Sequence, residues 1–582
     1  MPAGNRSGSV VEGTGAEILA ESLCHAGIET IFGLSGDTGV AFYDALYHRR
    51  HRIRHVMAHD ERHAAYMADV YARCTNKVGA VEVSSGGGVT YAVGGLGEPY
   101  ASSVPMLVVA SDIHSGSRGT GALTEIDQEL LFAAVTKWRT TVPTASDIPS
   151  LVSDALAAAT SDRPGPVCLI VPEDVLNEQG RAIVFEASIE IPRRRPAADE
   201  VSVRWAADAL RRAERPGIVA GSGVHLSRAW AELARLAEMA GIPVATTIHG
   251  KGSFPETNPW SLGVVGANGA RDYANEYLAQ ADVVLFIGTR ANATDTNSFT
   301  SPSRDKTIVI QNDIEAGRAG RNFPGSIALV GDAKSTLGQL IEAFLPQGET
   351  TRHRQRLRSW IDERRRAWYR SALESGVPDD ETLLAPRDVL RIIQEEAGAD
   401  TLLVADPGTL TPNVAAYWEM EKAARDVIVP RGHGPMGYAI PGAIGAAMAF
   451  PDRPVMALTA DGSFAMSCGE LETAVRLQLP IVHVQFTNGS MGWIKMLQHL
   501  YMGKRYFGVD SGSIDAVAVA RGMGLEAARV TSLEEFSGVL GRGLAARRPV
   551  FIDVPVPDQI GLVPPVAPWH AALAGEGERP VY

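Results

Sequence analysis

The chain has 582 residues, enough for roughly three or four domains at about 150 residues each. Lysine and arginine total 54 against 67 aspartates and glutamates, a net charge of −13, which excludes the concentrated basic surface that indiscriminate nucleic-acid binding needs. No run of about 18 apolar residues occurs and the opening MPAGNRSGSVVE has no apolar leader core, so no membrane partner is expected. Cys24, Cys74, Cys168 and Cys468 lie far apart with no zinc spacing, and a reducing, cytoplasmic address is the simplest expectation. The unusual figure is 59 glycines, about 10% where about 7% is ordinary.

In chain order, short β-branched runs alternate with longer Ala-rich amphipathic stretches. The runs are VGAVEVSS (78–85), PMLVVAS (105–111), PVCLIVP (166–172), DVVLFIG (282–288), TIVIQND (307–313), TLLVAD (401–406), VMALTAD (455–461) and IVHVQFTN (481–488). Apolar runs of this length, separated by helix-length segments, predict parallel sheets covered on both faces. The fold class is therefore α/β, doubly wound. IEIPRRRPAADE (189–200) reads as a hinge. The segment 347–380, holding RHRQRLRSWIDERRRAWYR, reads as a solvated linker helix. Three domains are expected, at 12–188, 198–346 and 382–560, followed by a Pro-rich tail after Pro557 that is flexible or draped over a surface.

The glycines gather at strand ends. Asp461 and Asn488 each end a predicted strand of the third domain, at the edge where parallel sheets bind ligands. A carboxylate, an amide oxygen and a main-chain carbonyl near Ser490 form a hard oxygen set suited to Mg²⁺. Gly462 and Gly489 would let a phosphate approach the backbone. Asp-Gly and Asn-Gly are also common turn dipeptides, so each half alone carries little.

The block ADGS, a spacer and TN over 460–488 resembles the motif of thiamine-diphosphate-dependent enzymes, usually GDG and then NN. Ala460 and Thr487 depart from it; Asp461 and Asn488 keep its metal-binding members. RGHGPMGYAIPGAIGA (431–446), ADPGTL (405–410), FGLSGDTGVAFYDAL (32–46), AHDERHAAYMADVYAR (58–73), VSSGGGVTYAVGGL (83–96) and HGKGSFPETNPWSLG (249–263) resemble further segments of that superfamily in the same order, the last of them in its acetolactate synthase branch. The resemblance implies three domains, binding the cofactor's pyrimidine, forming a centre, and binding its diphosphate.

It also implies roles. Glu61 would activate the cofactor through its aminopyrimidine ring, and Met436 would prop the cofactor into its bent shape. Gly408, Thr409, Gly462, Ser463, Gly489 and Met491 would line the diphosphate, with Asp461, Asn488 and Ser490 holding Mg²⁺. Residues expected near the substrate are Asp37, Gly87, His114, Thr124, His433, Trp493, Ile494 and Leu497. Of these, Asp37 could equally cap the helix that follows it, and His114 and His433 could be structural. Superfamily decarboxylases often carry a glutamate proton donor where this chain has Ile494, so a carboligase is favoured, decarboxylating a 2-oxo acid and passing the acyl unit to a second carbonyl.

Departures from the branch at Leu123, Thr124, Leu497 and GTRANATD (288–295) imply an altered substrate pocket and put FAD in doubt. AGSGV (220–224) is a weak nucleotide signal, better read as a strand–helix turn. The alternatives are a 2-hydroxyacyl-CoA lyase or a 2-oxo acid decarboxylase, with acyl-CoA as partner in the lyase case, and a non-catalytic subunit of the same fold. In the superfamily the cofactor lies between two subunits, which implies a homodimer at minimum and a homotetramer as the expected form.

Overall fold

A computed structural model describes residues 8–184, 186, 189–267, 271–344, 351–374, 378, 380–575 and 579. The first seven residues, the expected boundaries at 188 and 346 and parts of the 347–380 linker lie outside the described residues.

The strands in chain order are β1 (Ser9–Thr14), β2 (Thr30–Gly33), β3 (Arg54–Met57), β4 (Gly79–Val83), β5 (Met106–Asp112), β6 (Trp138–Thr141), β7 (Pro166–Pro172), β8 (Gln179–Val184), β9 (Pro216–Ala220), β10 (Val244–Thr246), β11 (Ser261–Val264), β12 (Val283–Ile287), β13 (Ile308–Asp313), β14 (Ile327–Val330), β15 (Leu402–Ala405), β16 (Val427–Ile428), β17 (Val455–Ala460), β18 (Ile481–Thr487), β19 (Glu526–Arg529) and β20 (Val550–Pro555). β1 and β8 form an antiparallel ribbon. The others form three parallel sheets of six, ordered β3-β2-β4-β5-β7-β6, β11-β10-β9-β12-β13-β14 and β16-β15-β17-β18-β20-β19. The expected α/β class with three doubly wound sheets is what the chain adopts. Its central strands, such as β5, β7 and β12, are buried on both faces, which is why they read as continuous apolar runs rather than alternating ones.

The residues divide into two compact units. The first comprises Met1–Arg194, Pro430–Asp452 and Ser467–Leu479 and holds the first sheet. The second comprises Arg195–Val429, Arg453–Met466 and Pro480–Tyr582 and holds the other two sheets. The division at Arg194 falls inside the stretch read as a hinge. The start of that stretch is fastened rather than loose: Ile191 N–H donates to Asn76 O at 3.2 Å and Asn76 Nδ2 donates to Ile191 O at 2.8 Å.

Each sheet has a switch point where connections depart in opposite directions, between β2 and β4, β9 and β12, and β15 and β17; ligands of open α/β sheets bind at such reversals. In the middle sheet this place is filled by backbone. Gly223 N–H donates to Gly288 O at 2.9 Å, and a Cβ on Gly221 or Gly223 would come within 2.5 or 2.6 Å of Gly288 atoms. The AGSGV glycines therefore serve close strand–helix packing, as the turn reading expected.

One feature of the second unit corrects the reading of its linker helix, and another shows the tail draped as one of its two readings expected. The arginine-rich helix Thr351–Glu374 is not a solvated spacer. Leu357 and Ile361, one turn apart, enter the core of the middle sheet, joined by Trp360 and Trp368. Its arginines are anchored too: Arg365 donates to Asn258 O and Ser261 O at 3.0 and 2.6 Å. The tail after Pro557 carries a helix, Ala567–Leu573, whose Trp569 is buried against the helix Gly492–Tyr501.

A fully buried ion cluster joins the two sheets of this unit. Glu256 pairs with Lys251 and, at 3.0 Å, with Arg271. Both cations also donate to backbone carbonyls at the end of the helix Leu410–Tyr417: Lys251 Nζ to Ala415 O at 3.3 Å, and Arg271 Nη2 to Ala416 O at 3.4 Å.

Two histidines are buried as neutral rings. His225 Nδ1 accepts from Trp230 Nε1 at 3.0 Å and its Nε2 faces Lys251 O at 3.1 Å. His483, on β18, has no hydrogen-bond partner at either nitrogen among the described residues. Burial pushes both down to about 3, against about 6.5 in an unfolded chain. As the pH falls below about 6.5 the unfolded chain takes up protons that the folded chain refuses, so the stability present above that value is progressively lost down to about 3. The slope reaches about 1.4 kcal/mol per pH unit for each histidine. Denaturant titrations between pH 7 and 4 should show this fall, and His483→Leu should flatten it; an unchanged slope in that variant would contradict the assignment.

Candidate functional site

In the first unit the site is built where the strands end. β3 ends at Met57, and Asp60 caps the helix Glu61–Thr75 by accepting from Arg62 N–H at 2.8 Å. This places Glu61 in the first helical turn, with only 7% of its surface exposed. Burial holds its carboxyl above the ordinary carboxylate range, partly offset by its own amide, while Asp60 and Glu82 add to the rise. Its Oε1 lies 3.0 Å from where a Cβ on Gly88 would sit, so the glycine loop after β4 is what gives this carboxylate room.

A chain of hydroxyls ties the neighbouring loops together. Thr38, after β2, contacts Ser111 at 2.8 Å and Ser85 at 3.2 Å, and Ser85 contacts Thr124 at 2.7 Å. Thr124 has a left-handed backbone (φ +66°) and sits against Gly86. Gly87 is the exposed first residue of the helix Gly87–Ser102. Asp37 opens a short 3₁₀ turn and caps nothing: the helix Val40–His48 is preceded by Gly39, with no side-chain cap. His114 is exposed and closes a local turn by accepting from Gly116 N–H at 3.0 Å.

The segment carrying Met436 is held by a buried charge network that sequence reading missed. Glu98, wholly buried, accepts from the N–H groups of Gly432, His433 and Gly434 at 3.2, 2.6 and 3.2 Å. It also pairs with Arg73 at 3.1 Å, and Arg73 forks onto Asp69 at 2.9 and 3.0 Å. Asp69 in turn accepts from Tyr438 OH at 2.5 Å. One carboxylate thus fixes three successive amides just before Met436. His433 itself is exposed, its ring laid against Gly97.

In the second unit the remaining expected residues lie at one edge of the third sheet. Gly408 and Thr409 follow β15, Asp461 follows β17, and Asn488, Gly489 and Ser490 follow β18. They flank the reversal between β15 and β17. Gly408 (φ +84°) and Gly489 (φ +69°) have left-handed backbones, and a Cβ on either would meet nothing within 4 Å. Both therefore present bare backbone to open space, the cradle a phosphate requires.

Asp461 opens the helix Asp461–Ser467, which also carries Gly462 and the buried Ser463. Its Oδ2 accepts from Asn488 and Gly489 N–H at 2.9 and 3.1 Å. Burial raises its carboxyl and these amides offset part of the rise. Asn488 Oδ1 accepts from Ser490 N–H and Oγ–H, both at 3.2 Å. Among the described residues no cluster of three His, Cys, Asp or Glu could hold a metal. An ion at this edge would instead draw on one carboxylate with amide and main-chain oxygens, a donor set that fits Mg²⁺.

Met491 precedes the helix Gly492–Tyr501, which carries the other expected pocket residues. Its faces divide them. Trp493 packs on Trp569 with ring centres 4.4 Å apart and planes tilted by 51°, and Leu497 packs in the same cluster. Both thus face the tail helix rather than an open pocket, because the tail supplies apolar partners for that stripe. Ile494 lies elsewhere on the helix and is 44% exposed.

Family models of the thiamine pyrophosphate enzymes match in three parts: the N-terminal binding domain over residues 13–131, the central domain over 203–340 and the C-terminal binding domain over 406–554. A probable acetolactate synthase large subunit of Methanocaldococcus jannaschii is 32% identical, covering 95% of this chain and 93% of its own length. The acetolactate synthase large subunit of Corynebacterium glutamicum is 31% identical over 97% and 90%. The isozyme 3 large subunit of Escherichia coli is 30% identical over 93% and 95%.

Removing the Glu98 carboxylate would leave Arg73 with one partner and three amides with none. Glu98→Ala is expected to cost about 3–5 kcal/mol, read as a lower urea midpoint of the first unfolding transition. Glu98→Gln, which keeps one acceptor oxygen, should cost less.

Proposed function

The chain belongs to the thiamine pyrophosphate enzymes, acetolactate synthase-like branch, and on that premise we propose that it is a magnesium-dependent carboligase that decarboxylates a 2-oxo acid and joins the acyl unit to a second carbonyl compound. When bound, thiamine diphosphate supplies a nucleophilic carbon and an electron sink for making and breaking C–C bonds.

The observation that carries the reading is the edge of the third sheet, where bare glycine backbone, a carboxylate and an amide oxygen converge. Asp461 and Asn488 would hold Mg²⁺, and Gly408, Thr409 and Gly489 would receive the diphosphate. Glu61 is suited to hold a proton toward the pyrimidine ring, because burial favours its protonated form at higher pH than a free glutamate. Met436 would support the cofactor from the segment that Glu98 fixes. Ile494 offers no proton, which favours acyl transfer to a carbonyl over release of a protonated product.

A homodimer at least is proposed as the working form. Tyr91 (62% exposed), on the helix Gly87–Ser102, and Leu123 (88% exposed), in a loop of the first unit's site, stand open, and a second copy would cover them. The altered positions in GTRANATD, together with the closed packing of Gly221 and Gly223 on Gly288, favour a chain that works without flavin.

Purified protein with thiamine diphosphate and Mg²⁺, given mixed 2-oxo acids, should release CO₂ and yield 2-hydroxy-3-oxo products identifiable by mass spectrometry. Glu61→Gln should lower turnover by about 10²–10⁴-fold. Ile494→Glu should divert product toward the simple aldehyde. No CO₂ from any acid tested would end this reading. The same preparation should sediment as a dimer or larger and show no flavin band in the visible spectrum.

A further inference from the structure

After β20 the chain does not simply leave the third sheet. Val556 N–H donates to Thr487 O at 2.9 Å, keeping the chain beside the Asn488 loop. Asp558 then accepts from Lys495 Nζ of the helix Gly492–Tyr501 at 2.7 Å. Its backbone carbonyl accepts from Gly561 and Leu562 N–H at 2.9 and 3.0 Å. This fixed turn presents the next residue, Gln559.

Gln559 is 3% exposed, and its Oε1 is buried with no hydrogen-bond partner among the described residues. A buried amide oxygen left without a donor costs about 1–3 kcal/mol, so its retention calls for a partner outside the protein. Its surroundings say which. The Cγ of Gln559 lies over Gly492, 2.5 Å from where a Cβ would be, and that same point is 3.5 Å from Thr409 Cγ2 and 3.6 Å from Asn488 Nδ2. Gln559 also borders a cavity of about 370 Å³ beside the helix that Thr409 begins. The Gln559 side chain thus shares the space over Gly492 with one residue assigned to the diphosphate and one assigned to the metal.

We propose that Gln559 is a further residue of the cofactor site, its Oε1 accepting a hydrogen bond from water coordinated to the magnesium ion that Asp461 and Asn488 hold. This rests on the cofactor assignment above and adds a ligand-side partner from the C-terminal segment, whose sequence carries no metal or phosphate motif. The glycine at 492 follows from it, because any side chain there would displace Gln559.

The test uses the full-length protein stripped of cofactor by dialysis against a chelator, with calorimetric titration of thiamine diphosphate at saturating Mg²⁺ and of Mg²⁺ at saturating thiamine diphosphate. Gln559→Met, which keeps shape and removes the oxygen, should weaken binding by about three- to tenfold. The same variant without cofactor should unfold at the same temperature as the unchanged protein or higher, since a stranded acceptor is gone. A merely structural glutamine would show the opposite, a lower unfolding temperature. Gln559→Glu keeps an acceptor oxygen and should restore Mg²⁺ affinity.

Wild-type affinities in Gln559→Met would overturn the inference and assign the oxygen to ordinary buried water. Asp461→Ala separates this from failure of the site itself. If Asp461→Ala binds as tightly as the unchanged protein, the metal assignment falls. If it loses binding while Gln559→Met does not, only the role of Gln559 falls.

Discussion

A parallel sheet whose strand order reverses must leave a crevice at the reversal, because the two connections depart in opposite directions. Each of the three sheets here answers that constraint differently. The first lines its crevice with hydroxyls, the Thr38–Ser85–Thr124 and Thr38–Ser111 contacts, beside a buried glutamate. The third leaves backbone open at Gly408 with oxygen donors beside it. The middle one closes its crevice with glycine packed on glycine. Two sheets keep an open edge lined with polar groups and one closes on its own packing. The difference lies in a handful of loop residues rather than in strand order.

Much of this was legible in the sequence because the physics is local. A strand that ends in Asp or Asn followed by Gly can be read from a few residues, and the motif segments at 32–46, 58–73, 83–96, 249–263, 405–410 and 431–446 in a fixed order left little freedom. The placement of Glu61 at the start of its helix likewise follows from Asp60, a strong cap in the neighbouring position.

What could not be read depends on distance along the chain or on a competing local solution. Glu98 grips amides more than 330 residues away, and nothing near Glu98 marks it as an anchor. Asp37 failed as a helix cap because a 3₁₀ turn intervened. The arginine-rich helix misled because its composition is charged while its burial is not. Leu357 and Ile361 are enough to seat it, and the arginine stems and their carbonyl contacts cover the rest. Trp493 and Leu497 sit where a pocket was expected, but the tail offered them an apolar partner first.

The ion cluster of Lys251, Glu256 and Arg271 has a thermodynamic consequence of its own. Its two cations satisfy the final carbonyls of the helix whose opening residues border the open glycine backbone at Gly408, so a loosened middle sheet loosens that helix from its far end. Cooperativity then runs in both directions by linkage. A ligand seated at one end of the helix resists melting of a sheet it does not touch. The middle domain, its crevice closed by its own glycines, is tied in this way to the far end of that helix.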